Sequence, residues 1–213
     1  MSSAVTTMPR RLPPSVPAPP LPSSGPSPSR KRWNVDEFHE LAVLPIFENR
    51  KMILVEGEVL DMPMANHPHD MGVGACQDML ETNFPKGGYW VRIQMALPLG
   101  RNTDPGPDVV VVTGSRSSHL RQPTSALLVI EVSDSTIEYD SGDKANLYAS
   151  GGIADYWVLD LNGRRLIVFR DPIVDAAAPF GFRYQTRSEL DVSKTIAPLA
   201  LSSATIRVAD LLP

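Results

Sequence analysis

Apolar and polar positions alternate along this chain in two rhythms, and the switches between them divide it into elements. From residue 34 the spacing is helical. Asn34 can cap a short helix, Glu37 three residues on completes a capping-box pattern, and Phe38 and Leu41 continue it to about Leu44, before Pro45. Residues 52–62 change to strand character, with Ile53-Leu54-Val55 and Val59-Leu60 flanking Glu56-Gly57-Glu58, which predicts a hairpin with glycine at its turn. Residues 70–84 return to helical spacing through Met71, Ala75, Met79 and Leu80. A strand over 89–97, a loop over 98–107 and two short β-branched runs, 107–112 and 127–133, follow, the last two separated by a polar loop. Asp140 or Ser141 can cap a helix containing Lys144, Leu147 and Tyr148, which Gly151-Gly152 ends. Residues 154–161 and 164–170 predict a second hairpin around Asn162-Gly163. The C-terminal part is less regular, with a strand expected over 182–185 and a short segment over 206–212. Helix, strands, helix, strands in this order predict a mixed α/β (α+β) domain, without internal repeats.

Composition changes the picture mainly at the N-terminus. Residues 1–32 hold nine of the 21 prolines, with Ser and Ala filling most of the rest. Such a segment buries too little apolar surface to offset its chain entropy, so a disordered or polyproline-like tail is expected there, ahead of a folded domain over 33–213. Five of the 20 basic residues lie in this tail, which has no acid, leaving 15 against 24 acids in the remainder. The Arg30-Lys31-Arg32 cluster could touch phosphates or serve targeting, but a solvated junction is the ordinary role of such a run. An acidic body argues against tight nonspecific binding of nucleic acid, yet leaves room for a local basic face or a metal-holding acid cluster. Cys76 is the only cysteine, so an internal disulfide is excluded. No apolar stretch approaches a membrane span, and a proline-rich N-terminus is a poor secretory signal, so a cytoplasmic protein without membrane partners is expected.

Candidate chemistry sits in the two β-branched runs. Pro107-Asp108-Val109-Val110-Val111-Val112 and Leu127-Leu128-Val129-Ile130-Glu131-Val132-Ser133 each carry one carboxylate against apolar neighbours. An unpaired buried carboxylate costs on the order of several kcal/mol or shifts its pKa, so each acid calls for a partner. Side chains alternate along a strand, which puts Val129, Glu131 and Ser133 on one face and Leu128, Ile130 and Val132 on the other. If the two runs are neighbouring strands, Asp108 and Glu131 can converge on one divalent cation, magnesium or manganese, with water filling its remaining positions. A nearby lysine, Lys144, would orient the attacking water. The plainer roles are a loop cap for Asp108 and a structural ion pair between Glu131 and Lys144. His67-Pro68-His69-Asp70 begins like a zinc motif, but Met71 and Gly72 stand where further ligands are needed, and only His39 and His119 remain elsewhere. His69 fits better as an auxiliary at the entrance of the site. Ser133-Asp134-Ser135-Thr136 lacks the glycine pattern of a nucleophile elbow and reads as a loop leaving the strand. Tyr148, Tyr156 and Trp157 fall at periodic apolar positions and are assigned to the core.

The order Pro107-Asp108, Glu131 and then a lysine resembles the PD-(D/E)XK nuclease superfamily, and within it the Uma-two family of restriction endonucleases. The resemblance spans roughly residues 33–212. It rests on Leu54-Val55-Glu56-Gly57-Glu58-Val59, on the two runs above with Asp134-Ser135-Thr136, and on Tyr139-Asp140, Lys144, Tyr148-Ala149, Gly152-Ile153, Asp155-Tyr156-Trp157 and Asp160. It implies a restriction-endonuclease-like core, a mixed central β-sheet flanked by helices. It also implies a DNA endonuclease with Mg2+ or Mn2+ held by Asp108 and Glu131 and with Lys144 in the catalytic set. Two positions depart from the pattern. Ser133 stands where the superfamily usually places its lysine, leaving Lys144 to supply the ammonium from the next helix. Ile53 stands where relatives tend to carry a glutamate, a role that would pass to Glu56 or His69. These departures keep a second function in view, a nuclease-fold module that binds DNA or a protein partner without cutting. A third is a structural partner in a larger assembly that docks through the tail. A double-strand cut wants two active sites, which points to a homodimer, although no residue in the chain demonstrates one.

Overall fold

The valine-rich runs become the middle of a six-stranded sheet because their side chains are apolar on both faces and can be buried from both sides. The structure, a computed structural model, describes residues 29–213. In the sheet, β3 (Tyr89–Ile93), β4 (Val109–Thr113), β5 (Leu128–Ser133), β6 (Asp155–Asp160), β7 (Arg165–Val174) and β8 (Phe182–Asp191) lie side by side in sequence order. Only β5 and β6 pair in parallel; every other pair is antiparallel. A parallel pair needs a crossover, and here it carries two short helices, α3 (Ile137–Ser141) and α4 (Asp143–Ser150). The expected mixed sheet flanked by helices is what the chain forms. Residues Lys31–Pro213 make up one compact unit, and the tail expected over residues 1–32 lies, as far as residue 28, outside the described residues.

Both faces of the sheet are packed. Leu128, Ile130 and Val132 lie under α2 (His67–Asn83) and the C-terminal segment around Ile206 and Leu211. Val129 belongs to the opposite core, with Tyr148 and Ala149 of α4 and with Tyr156 and Phe169. The alternation expected along β5 is therefore the division between the two cores. Helix α1 (Val35–Ala42) has its capping box as expected, with Asn34 and Glu37 bonding reciprocally. The hairpin of β1 (Lys51–Val55) and β2 (Glu58–Met62) stands apart from the main sheet, turning through Glu56 and Gly57, both at positive φ.

Several elements differ from expectation. Helix α2 begins at His67, with Asn66 as its cap, and buries His69, Gly72, Val73, Cys76 and Leu80, while Met71 is 50% exposed. The helix is turned so that Gly72 faces β5: a Cβ there would lie 2.8 Å from Val132 Cγ1, so only glycine permits this close approach. Neither Asp140 nor Ser141 caps the helix of Lys144. They belong to α3, and Gly142, where a Cβ would meet Glu138 O at 2.6 Å, separates α3 from α4. Strand β3 stops at Ile93, followed by Gln94 at φ 49°. The β7–β8 hairpin runs well past the expected strands, because β8 is an edge strand with mostly exposed side chains and so lacks an apolar rhythm. The short pair β9 (Thr195–Ile196) and β10 (Ile206–Arg207) forms a separate ribbon.

Candidate active site

Asp108 is the last residue before β4, and the antiparallel register that opposes Val109 to Ile130 places it opposite Glu131. Its carboxylate takes the place of a ladder group: Val132 N–H donates to Asp108 Oδ2 at 2.9 Å. His69 Nε2 reaches the same oxygen at 3.2 Å from the first turn of α2, and Lys51 Nζ, at the start of β1, lies 3.3 Å from Oδ1. On the other side, Glu131 points toward α4. Tyr148 Oη donates to Glu131 Oε1 at 2.5 Å, and Lys144 Nζ is ion-paired to the same oxygen at 2.8 Å. Asp140 Oδ1 stands 3.8 Å from Lys144 Nζ, and Thr136 Oγ1 donates to Asp140 Oδ2 at 2.5 Å. Asp108, Glu131, Asp140 and Lys144, all buried, line one cavity with Lys51, His69, Asn66 and Asp134. Asn66 closes part of its rim, capping α2 through the His69 N–H and donating to Asp134 Oδ2 at 2.6 Å.

The electrostatics separate the two strand acids. Burial alone would raise the Asp108 carboxyl, but the hydrogen bond to His69 and the charges of Lys51 and Lys144 outweigh it and hold the group well below the usual carboxylate range. For Glu131 burial wins, pushing the carboxyl up to about 8 against the pull of Lys144, with Asp108 and Asp140 adding repulsion. Lys144 is itself driven above its ordinary value: burial works against its charge, and the acids Glu131, Asp140 and Asp108 overcome that. The His69 imidazole is raised by its bond to Asp108 in excess of the opposing effect of burial. Lys51 and His69 face Asp108, while Lys144 faces both Glu131 and Asp140, so the surplus acid lies beside Lys144 and calls for a proton or an added cation.

The donor set suits a particular kind of cation. Glu131 Oε1 is taken by Lys144 and Tyr148, whereas Oε2 has no hydrogen-bond partner among the described residues. Among those residues no three His, Cys, Asp or Glu side chains group as a metal shell. Two carboxylates with open positions for water fit magnesium or manganese, and do not fit the closed nitrogen and sulfur shell of a structural zinc.

The structure thus brings Asp108, Glu131 and Lys144 to one cavity. It places Glu56 in the exposed β1–β2 turn and Ile53 in the core, neither on the cavity wall. Ser133 is buried, its hydroxyl 3.4 Å from Thr136 Oγ1. The sequence reading missed Lys51 altogether, assigned Asp140 to a helix cap and treated Tyr148 as packing alone. Asp140, Lys144 and Tyr148 recur every four residues, a polar stripe facing β5 that carried the missing signal.

Comparison with known proteins places the chain in a family and its fold beside a solved structure. Over residues 35–209 the chain matches the Uma2 family, described as "Putative restriction endonuclease", and it belongs to that family. Its fold is similar to the crystal structure of a putative nuclease belonging to DUF820 from Anabaena variabilis ATCC 29413. That similarity has a TM-score of 0.61 and 16% identity over 84% of this chain and 97% of the other. No curated protein matches the chain. Among the described residues no helix is long and apolar enough to cross a membrane.

Proposed function

We propose that this protein is a metal-dependent DNA endonuclease that hydrolyses phosphodiester bonds. The observation that carries the proposal is the convergence of Asp108 and Glu131, from adjacent strands, on one cavity beside the buried Lys144. Asp108 and Glu131 would hold Mg2+ or Mn2+. Such an ion, when bound, lowers the pKa of water and offsets charge on a phosphate. The protein's own groups do the rest. Val132 N–H, His69 and Lys51 fix the Asp108 carboxylate in its ionised form. Tyr148 and Lys144 fix one oxygen of Glu131 and leave the other without a hydrogen bond among the described residues. Lys144, kept charged by the acids around it, orients the attacking water toward phosphorus; the ester P–O bond breaks as the new P–O bond forms, the water's proton passes to solvent, and the departing sugar oxygen takes a proton from solvent. A double-strand cut by this site calls for a homodimer.

The departure at Ser133 supports the second reading, a module that binds DNA or a protein without cutting. Incubation of supercoiled plasmid with the protein in manganese, magnesium or EDTA, beside the Asp108→Ala variant, separates the two. Nicking that needs metal and vanishes in the variant supports the nuclease. Intact plasmid under every metal, from a folded protein, replaces it with the binding module.

A further inference from the structure

The cavity holds two lysines, and they do different work. Lys144 is 2% exposed, with its ammonium held between Glu131 and Asp140, so its charge is taken up by the buried acids. Lys51 is 30% exposed and makes one long contact, 3.3 Å to Asp108 Oδ1. An ammonium has three donors, so most of the hydrogen-bonding capacity of Lys51 is free.

Its attachment, by contrast, is fixed. Ile53 and Leu54, two and three residues along β1, are buried, and Leu54 exchanges backbone hydrogen bonds of 3.0 and 2.8 Å with Asp104. A side chain anchored at its base and held by one contact at its tip thus stands at a cavity that also presents Asp108, Glu131, Asp134 and Asp140. A phosphodiester entering among four acids meets repulsion unless a cation faces it from the solvent side. Lys51 is the lysine so placed, since Lys144 is enclosed.

We infer that Lys51 receives the phosphate of the substrate strand, an assignment that rests on the nuclease reading. Lys144 neutralises the buried acids and Lys51 meets the incoming anion.

The test is binding of a fluorescein-labelled DNA duplex in EDTA, followed by anisotropy across a range of salt, for wild type, Lys51→Met and Lys51→Arg, with thermal melts and plasmid nicking in manganese alongside. Loss of one phosphate contact is expected to weaken Lys51→Met about tenfold at low salt and to reduce the slope of log Kd against log salt by about one. Lys51→Arg restores most of both, and the melting temperatures stay together. Wild-type affinity and slope in Lys51→Met overturn the assignment, while metal-dependent nicking by the wild type keeps the nuclease reading in place. Weakened binding with a lowered melting temperature and no recovery in Lys51→Arg overturns it too, in favour of a structural pair with Asp108. A wild type that neither binds nor nicks removes the nuclease reading and Lys51's role with it.

Discussion

Two carboxylates on the adjacent parallel strands β5 and β6 are equally buried and differently used. Asp155, 0% exposed, has every oxygen engaged. Trp157 Nε1 and Arg170 Nε donate to Oδ1 at 2.7 and 2.8 Å, and Leu199 N–H and Arg170 Nη2 donate to Oδ2 at 2.8 and 3.3 Å. Glu131, 1% exposed, has one oxygen shared by Lys144 and Tyr148 and the other unbonded, with Asp108 and Asp140 nearby to repel its charge. Asp155 ties β6, β7 and the segment before residue 200 together. Glu131 is held in place and left unfinished. A buried acid whose hydrogen bonds are complete is a strut; one whose bonds stop at a cavity is a candidate for a functional role, here the metal site proposed above.

The largest effect that sharpens this contrast is on cleavage. Glu131→Gln keeps the shape of the site and removes its charge, and is expected to lower metal-dependent plasmid nicking by about 10²–10³-fold, the scale of losing one preorganised electrostatic group. Its melting temperature should stay level or rise, because the replaced acid is strained by burial. Asp155→Ala should do the reverse, costing about 3 kcal/mol of stability by stranding Arg170 and the Leu199 N–H, as read by denaturant melts. Loss of stability in Glu131→Gln equal to that in Asp155→Ala would erase the distinction.

A smaller effect concerns pH. Burial pushes the Glu131 carboxyl up to about 8, so the cation proposed to bind there would displace a proton. Manganese affinity should therefore strengthen as pH rises, by up to about tenfold per unit below pH 8, and level off above it, with roughly one proton released per ion near pH 7. Calorimetry in buffers of different ionisation enthalpy measures that proton, and Glu131→Gln should abolish its release. The smallest effect is at Asp108. Its carboxyl is depressed in the fold, so it adds stability above the unfolded carboxylate value near 3.9 and loses it as pH falls below that. The gap in melting temperature between wild type and Asp108→Asn should thus narrow below about pH 4.

The parts of this molecule legible in its sequence are those where one residue type contradicts its surroundings. Asp108 and Glu131 stand out because β4 and β5 are otherwise apolar on both faces, and Asn162-Gly163 marks the turn after β6. Lys51 was illegible because a lysine at the start of a partly exposed strand is ordinary; what distinguishes it is an aspartate 57 positions away. His69 read as an auxiliary at the entrance of the site, but its partner could not be read, since Asp108 lies on another element 39 positions away. Asp140 read as a cap because a polar residue before a helix usually is one, and the separate turn of α3 left no apolar period. Strand β8 disappeared for the opposite reason, its exposed side chains giving no rhythm at all.

Gly72 gives the cavity a dependence on a residue that does not line it. Helix α2 rests against β5 at a separation set by a hydrogen atom in place of a methyl group. His69 projects from the preceding turn of the same rigid rod, so anything that lifts the rod at Gly72 draws the imidazole off Asp108 with it. A displacement near 1 Å at catalytic groups can cost about 10²-fold in rate. Gly72 thus works as a spacer gauge, and a single added carbon there would shift His69 while leaving the strand-borne groups of the cavity in place.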